Sequence, residues 1–237
     1  MSRLSDSMIA PISEIFSSIQ GEGPRTGERH IFIRFGTCHL ECAYCDERLK
    51  KSRPLSLHEV LRRVVQLEKK YGPHACVSLT GGEPLLHADF LKRLTAELRK
   101  RKFRILLETN GILWRSLSKV FRSCDIISMD LKLPSVTKQK DFLGEHRKFL
   151  EIARKKKIYI KIVISKDVKV QEYEKHLRMV ARVDPQTPVF LQPMSGHKIR
   201  FPDPELMKML GKLQRIGAKW LPDVRIGIQL HKIMNVR

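Results

Sequence analysis

Three of the chain's five cysteines fall within eight residues, in the stretch FGTCHLECAYCDE from Phe35 to Glu47. Cys38, Cys42 and Cys45 are spaced CxxxCxxC, and thiols this close in sequence can reach one metal centre. A structural zinc site normally takes four protein ligands. Cys76 and Cys124 stand far off in apolar runs and read as ordinary buried cysteines. No second CxxC and no HxxxH lies nearby, so zinc needs His39 as its fourth ligand. The other solution is a [4Fe–4S] cluster bound through thiolates, where three protein ligands leave one iron open. A fully ligated cluster only carries electrons, whereas an open iron is a reaction site.

Such a loop needs a frame. Apolar, β-branched runs read as buried strands: HIFIRFG, ACVSLTGG, RILLETNG, DIISMDLK, IYIKIVIS, PVFLQPM and VRIGIQLHK. Amphipathic stretches fall between most of them. In SLHEVLRRVVQLEKKYG, Ser56 and Glu59 are spaced as a capping box, with Gly72 near the helix end. HADFLKRLTAELRKRK carries Phe90, Leu91, Leu94 and Leu98 on one face. KDFLGEHRKFLEIARKKK and QEYEKHLRMVARV behave likewise, while WRSLSKVFRSC reads as a short helix or a turn.

The alternation predicts an α/β fold, a mostly parallel sheet with helical crossovers, in a single domain over residues 1–237. An open doubly wound sheet gathers its site at one switch point, and a (β/α) barrel at the ends of many strands. Here the cysteines follow the first run, TGGEP (Thr80 to Pro84) the second and ETNG (Glu108 to Gly111) the third. Ser128, Asp130 and Lys132 alternate along the fourth, Ser165 and Gln192 end the next two, and the last contains Gln229 and His231. This pattern favours an incomplete barrel with a site across its mouth. Plainer readings exist for each group: Gly81-Gly82 as a tight turn, Asp130 with Lys132 as a structural ion pair, His231 as a satisfied core or surface histidine.

Composition narrows the classes. Hydrophobic residues make up 42% and charged residues 30%, which fits a globular, soluble chain. No run nears the roughly 18 apolar residues of a membrane span, and the start lacks a signal peptide. A cytoplasmic protein with no membrane partner is therefore expected. The net charge of +21 would suit nucleic acid. The basic residues are spread over several helical faces with few aromatics between them, so direct nucleic-acid binding is not expected.

CxxxCxxC after the first strand, Tyr44 before the last cysteine and the GGE of Gly81 to Glu83 resemble the radical S-adenosylmethionine (SAM) superfamily. The resemblance implies an incomplete (β/α) barrel in which SAM chelates the open iron and is cleaved to a 5′-deoxyadenosyl radical. The flanks, EIFSSIQGEGPRTGERHIFIRFGTCHLECAYCD with FLQP and QLHK, are similar to the 7-carboxy-7-deazaguanine synthase family. That implies conversion of 6-carboxy-5,6,7,8-tetrahydropterin to 7-carboxy-7-deazaguanine with loss of ammonia, for the 7-deazapurines of queuosine or archaeosine in tRNA. It also implies a homodimer and a separate electron donor. SMDLKLPS resembles archaeal-type members more than the serine-proline-lysine form of many bacterial ones.

Carried over by position, the resemblance makes Cys38, Cys42 and Cys45 the cluster ligands. It places Tyr44, Cys45, Asp46, Gly82, Asp130, Lys132 and Gln192 around SAM. Ile19, Gln20, Gly21, Glu22, Arg34, Thr80 and His231 fall at pterin-binding positions. Arg34 suits a bidentate pair with the substrate carboxylate, and Glu22 can accept from an N–H and an exocyclic amine together. Many family members have Thr or Ser directly after CD, where the hydroxyl helps bind Mg²⁺. This chain has Glu47, a hard oxygen ligand that can bind Mg²⁺ directly or turn outward to Arg48 or Arg53.

Two other classes share part of the pattern. A radical activase that makes a glycyl radical on a partner has the cysteines but not QGEG or QLHK. A basic tRNA-binding protein with a structural cluster would cleave nothing. Replacing Cys38, Cys42 or Cys45 with Ala should abolish SAM cleavage after anaerobic reconstitution, while Cys76→Ala and Cys124→Ala keep it. Chromatography of 5′-deoxyadenosine checks this, and product from the triple variant would end the radical reading.

Overall fold

The computed structural model describes residues 8–45, 51–194 and 203–236. Its strands are β1 Ile9–Ile19, β2 Arg29–Phe35, β3 Arg53–Ser56, β4 Cys76–Gly81, β5 Ile105–Thr109, β6 Ile126–Asp130, β7 Lys157–Ile164, β8 Val189–Pro193 and β9 Val224–Ile226. They form one sheet ordered β3-β1-β2-β4-β5-β6-β7-β8-β9. β2 and β4 to β9 are parallel neighbours, and β1 pairs antiparallel with both β2 and β3. The helices are α1 Leu57–Tyr71, α2 Ala88–Lys100, α3 Trp114–Val120, α4 Pro134–Thr137, α5 Leu143–Ala153, α6 Val170–Val183, α7 Pro204–Gly217 and α8 Leu230–Ile233. The sheet ends at β3 and β9 without closing, which is the incomplete (β/α) barrel expected. None of the described helices is long and apolar enough to cross a membrane.

Alternation along the strands sorts their side chains. Ile31, Ile33, Val77, Leu79, Leu107, Ile127, Ile160 and Ile162 pack against Val60, Val64, Leu91, Leu94, Phe149 and Leu177 of the helices. The inner face starts with an apolar floor of Cys76, Leu106, Ile126, Tyr159 and Phe190. Two or four residues further along each strand stand Thr80, Glu108, Asp130, Lys161 and Gln192. The polar groups thus gather at the C-terminal ends, as the strand-end pattern predicts.

Several elements differ from the expectation. The sequence does not mark β1 and β3 as strands, because β1 carries Pro11 and a polar Ser/Glu pattern, and β3 begins at Arg53-Pro54. Proline removes a ladder donor. The sheet tolerates both because Pro11 stands opposite Pro54, so the two missing donors meet at one register position. VRIGIQLHK is not one strand: β9 stops at Ile226 and Gln229 precedes α8, so His231 lies on a helix. Lys132 lies just beyond β6 rather than on it. WRSLSKVFRSC is a helix followed by a 3-10 turn.

The capping box is present. Glu59 N–H donates to Ser56 Oγ at 3.3 Å, and Ser56 N–H to Glu59 Oε2 at 2.8 Å. Ser56→Ala should lower stability by about 1 kcal/mol. A shifted urea midpoint with an unchanged slope would show it.

Candidate active site

The cysteine loop leaves β2 at Phe35 and is pinned from two sides. Leu40 and Cys42 pack on Ile112 and Phe142, and Ala43 N–H donates to the Thr137 carbonyl at 3.1 Å. The loop also rests on the turn after β4. Gly82 N–H donates to the Phe35 carbonyl and Glu83 N–H to Thr37, both at 2.8 Å. A Cβ on Gly82 would stand 2.0 Å from the Thr37 carbonyl oxygen, so only glycine fits there. Glu83 itself is buried. Its carboxylate accepts from Leu85 N–H, Thr109 Oγ1 and Asn110 N–H at 2.8–3.0 Å, tying the GGEP and ETNG turns together. Burial pushes it up to about 7 despite those donors.

Cys38, Cys42 and Cys45 form no disulfide, and all three line one cavity of about 170 Å³. Tyr44, Thr80, Gly81, Gly82, Glu108, Asn110, Asp130, Lys132 and Lys161 complete its wall. Burial pushes the Cys38 thiol up. Among the described residues, no three His, Cys, Asp or Glu side chains are already closed around a metal position. Iron binding would therefore draw the thiols in and release their protons. The donor set fits a cluster with three protein ligands.

A second cavity of about 160 Å³ lies beside the first, lined by Glu22, Tyr44, Asp130, Lys161, Val163, Gln192, Pro193, Met194, Gln229 and Lys232. Tyr44, Asp130 and Lys161 belong to both, so they form the partition. Along it, Lys132 Nζ donates to Tyr44 Oη at 3.1 Å and to Asp130 Oδ2 at 2.9 Å. Lys161 Nζ lies 3.6 Å from Asp130 Oδ1 and donates to Glu22 Oε2 at 2.6 Å. Gln229 Nε2 donates to Glu22 Oε1 at 2.6 Å. Burial opposes every charge in this chain, and the neighbours reverse it. Lys161 and Gln229 hold Glu22 below the ordinary carboxylate range, and Lys132 and Lys161 do so for Asp130. Those carboxylates hold both ammoniums above the ordinary lysine value. Tyr44 is pushed up to about 12 by burial.

Most of the expected site residues meet here. Gln20 donates to Glu108 Oε1 at 2.9 Å and Thr80 to Glu108 Oε2 at 3.1 Å. Gly21 lies against the His231 ring, where a Cβ would be 1.8 Å from Nδ1. The Gln192 and Asn110 side-chain amides are buried donors with no hydrogen-bond partner, as a ligand site requires. Ile19, Gln20, Gly21, Arg34 and His231 line neither cavity. Arg34 is the register partner of Thr80, with its guanidinium 5.3 Å over Phe16 and Nε 3.8 Å from Glu14. Asp46, Glu47 and Arg48 lie outside the described residues. Sequence reading missed Lys161 and Glu108 as site residues. Their signal is a charge at an inner-face position of an otherwise apolar strand.

The Radical SAM superfamily matches residues 32–180. A 7-carboxy-7-deazaguanine synthase of Geobacter sulfurreducens is 34% identical over 95% of this chain and 97% of its own length. One of Methanopyrus kandleri is also 34% identical, over 94% and 93%. The crystal structure of QueE from Escherichia coli shares the fold with a TM-score of 0.66 at 24% identity, covering 96% of this chain and 97% of that one. The superfamily's cofactors are a [4Fe–4S] cluster and SAM, which decides against zinc with His39. With the cysteine loop and the two cavities in place, the chain belongs to the radical SAM superfamily and, within it, to the 7-carboxy-7-deazaguanine synthase family.

Proposed function

We propose that this chain, acting as one radical SAM domain over residues 1–237, converts 6-carboxy-5,6,7,8-tetrahydropterin to 7-carboxy-7-deazaguanine with loss of ammonia. The product would enter the 7-deazapurines of queuosine or archaeosine. One observation carries the reading beyond family membership: the cysteine cavity and the Glu22 cavity share a single side-chain partition. Groups held in the two cavities would thus be neighbours across one layer of side chains.

When bound, the cluster and SAM supply a hydrogen-abstracting organic radical. Cys38, Cys42 and Cys45 hold the cluster. Tyr44, Cys45, Asp46, Gly82, Asp130, Lys132 and Gln192 hold SAM, with the free Gln192 amide as a donor. Ile19, Gln20, Gly21, Glu22, Thr80 and His231 surround the pterin. Glu22 accepts from its N–H edge, and Arg34 turns from Glu14 to the substrate carboxylate. Glu47 is the proposed Mg²⁺ ligand. The chain works as a cytoplasmic homodimer fed by a separate electron donor, without binding membrane or nucleic acid.

The test is anaerobic turnover of the carboxypterin by reconstituted protein, with the product identified by mass. Cleavage of SAM without that product would overturn the substrate assignment. Arg34→Ala and His231→Ala should weaken turnover about ten- to hundred-fold, equivalent to losing roughly 1.5–3 kcal/mol of charge-assisted contact. SAM affinity should stay unchanged, and equal losses in both ligands would reassign these residues. Gly82→Ala should overpack the turn at a cost of about 1–3 kcal/mol. A lower thermal midpoint and less iron per chain are the expected readouts.

A further inference from the structure

Lys161 is a charge inside KIYIKIVI, the most apolar strand of the sheet, and is 9% exposed. Its floor-side neighbour on the inner face is Tyr159, and its ammonium reaches Glu22 at 2.6 Å. We propose that Lys161 is a positioning residue that keeps the Glu22 carboxylate charged and aimed as a hydrogen-bond acceptor for the pterin. The inference rests on the reading of Glu22 given above.

Three observations support it. First, packing alone does not require an ion pair at this place. A buried ion pair replaced as a whole by apolar residues of similar volume is often neutral for stability, whereas removing one partner alone is costly, so packing by itself does not account for a lysine on this strand. Second, the geometry is that of a clamp. Lys161 takes one oxygen of Glu22 and Gln229 the other, both at 2.6 Å. The carboxylate plane is thereby fixed, while each oxygen keeps a lone pair for a ligand. Third, both clamping residues line the same cavity as Glu22.

Take the ammonium away, and the remaining surroundings favour a protonated Glu22. The titratable groups around it are then Asp130 of β6 and Tyr159 of β7, with Tyr44 of the cysteine loop and Lys232 of α8 lining the same cavity. Burial, the largest effect, and then Asp130 raise Glu22, and only the Gln229 hydrogen bond still lowers it. A protonated carboxyl offers a donor where the pterin N–H edge also offers donors. Binding therefore becomes weak at low pH and recovers as rising pH ionises Glu22. In the wild type Glu22 stays ionised, and no such recovery occurs.

The experiment is a fluorescence titration of 6-carboxypterin into the full chain, reconstituted anaerobically with its cluster and SAM, between about pH 6 and pH 8. Dividing variant by wild-type affinity at each pH cancels the ligand's own titration. Lys161→Met should bind about ten- to hundred-fold more weakly at the low end and regain affinity as pH rises. Glu22→Gln/Lys161→Met should be weak with no pH trend. SAM affinity, which Lys161 can touch only through Asp130, should fall by much less than pterin affinity in both. Wild-type pterin affinity in Lys161→Met, a pH-independent loss or an equal loss of SAM binding would each overturn the proposal. Lys161→Gln carries the same expected pH trend where the Met variant does not fold. Failure of Lys161→Gln and the double variant to fold would make Lys161 a structural residue instead. A wild type that holds SAM but not 6-carboxypterin overturns the function reading and this inference with it.

Discussion

The ion pair between Glu22 and Lys161 joins residues 139 apart in sequence, and the mouth of the barrel depends on it. The sheet does not close on itself, so its lumen has an open side. The connection from β1 to β2 crosses that lumen. Its Gly23 lies on the Tyr159 ring with φ +68°, a place and a conformation that only glycine accepts. Its Gly21 carbonyl takes Leu230 N–H at 3.0 Å, while Glu22 grips Lys161 and Gln229. A short connection thereby ties the sheet's first strands to its last ones at the level where ligands would sit.

Period-two alternation on parallel strands does the rest. The floor residues are apolar because that end of the lumen has no ligand to satisfy polar atoms. The positions beyond the floor are polar, and the charged ones among them have partners: Lys161 reaches Glu22 and Asp130, and Glu108 accepts from Gln20 and Thr80. Removing Lys161 would orphan Glu22 and half of Asp130, and leaving a buried charge unpaired costs about 3–5 kcal/mol. Stability and chemistry therefore compete at the same atoms. The partition is a place where the fold tolerates charge burial for the sake of two adjoining cavities.

How much of this was legible depends on the range of each signal. The strands β2 and β4 to β8 were readable because they are buried on both faces near their starts and so appear as continuous apolar runs. Ser56 and Glu59 announced α1 by a local rule. β1 and β3 were not readable, since their polar alternation and prolines make sense only beside one another. The cysteine spacing marked a metal site by itself, while the cluster and the role of Gly82 came from the family resemblance. Lys161 was not, because its meaning lies in Glu22, which sequence distance hides. Arg34 was readable as a candidate, yet its present contacts with Glu14 and Phe16 are long-range facts.

The net charge of +21 does not originate in the site. The two cavities together are lined by three carboxylates, Glu22, Glu108 and Asp130, and three ammoniums, Lys132, Lys161 and Lys232. Their charges balance. The surplus comes from basic residues outside the cavities that have no acidic counterpart in number, since ion pairs such as Lys100 with Glu97 and Lys119 with Asp89 add no net charge. Such pairs contribute about 0–1 kcal/mol each to stability. The surplus field can draw an anion towards the chain, but physiological salt screens it beyond about 8 Å. Orientation of a ligand inside the mouth therefore falls to the balanced, short-range partition, and the two layers of charge act at different distances.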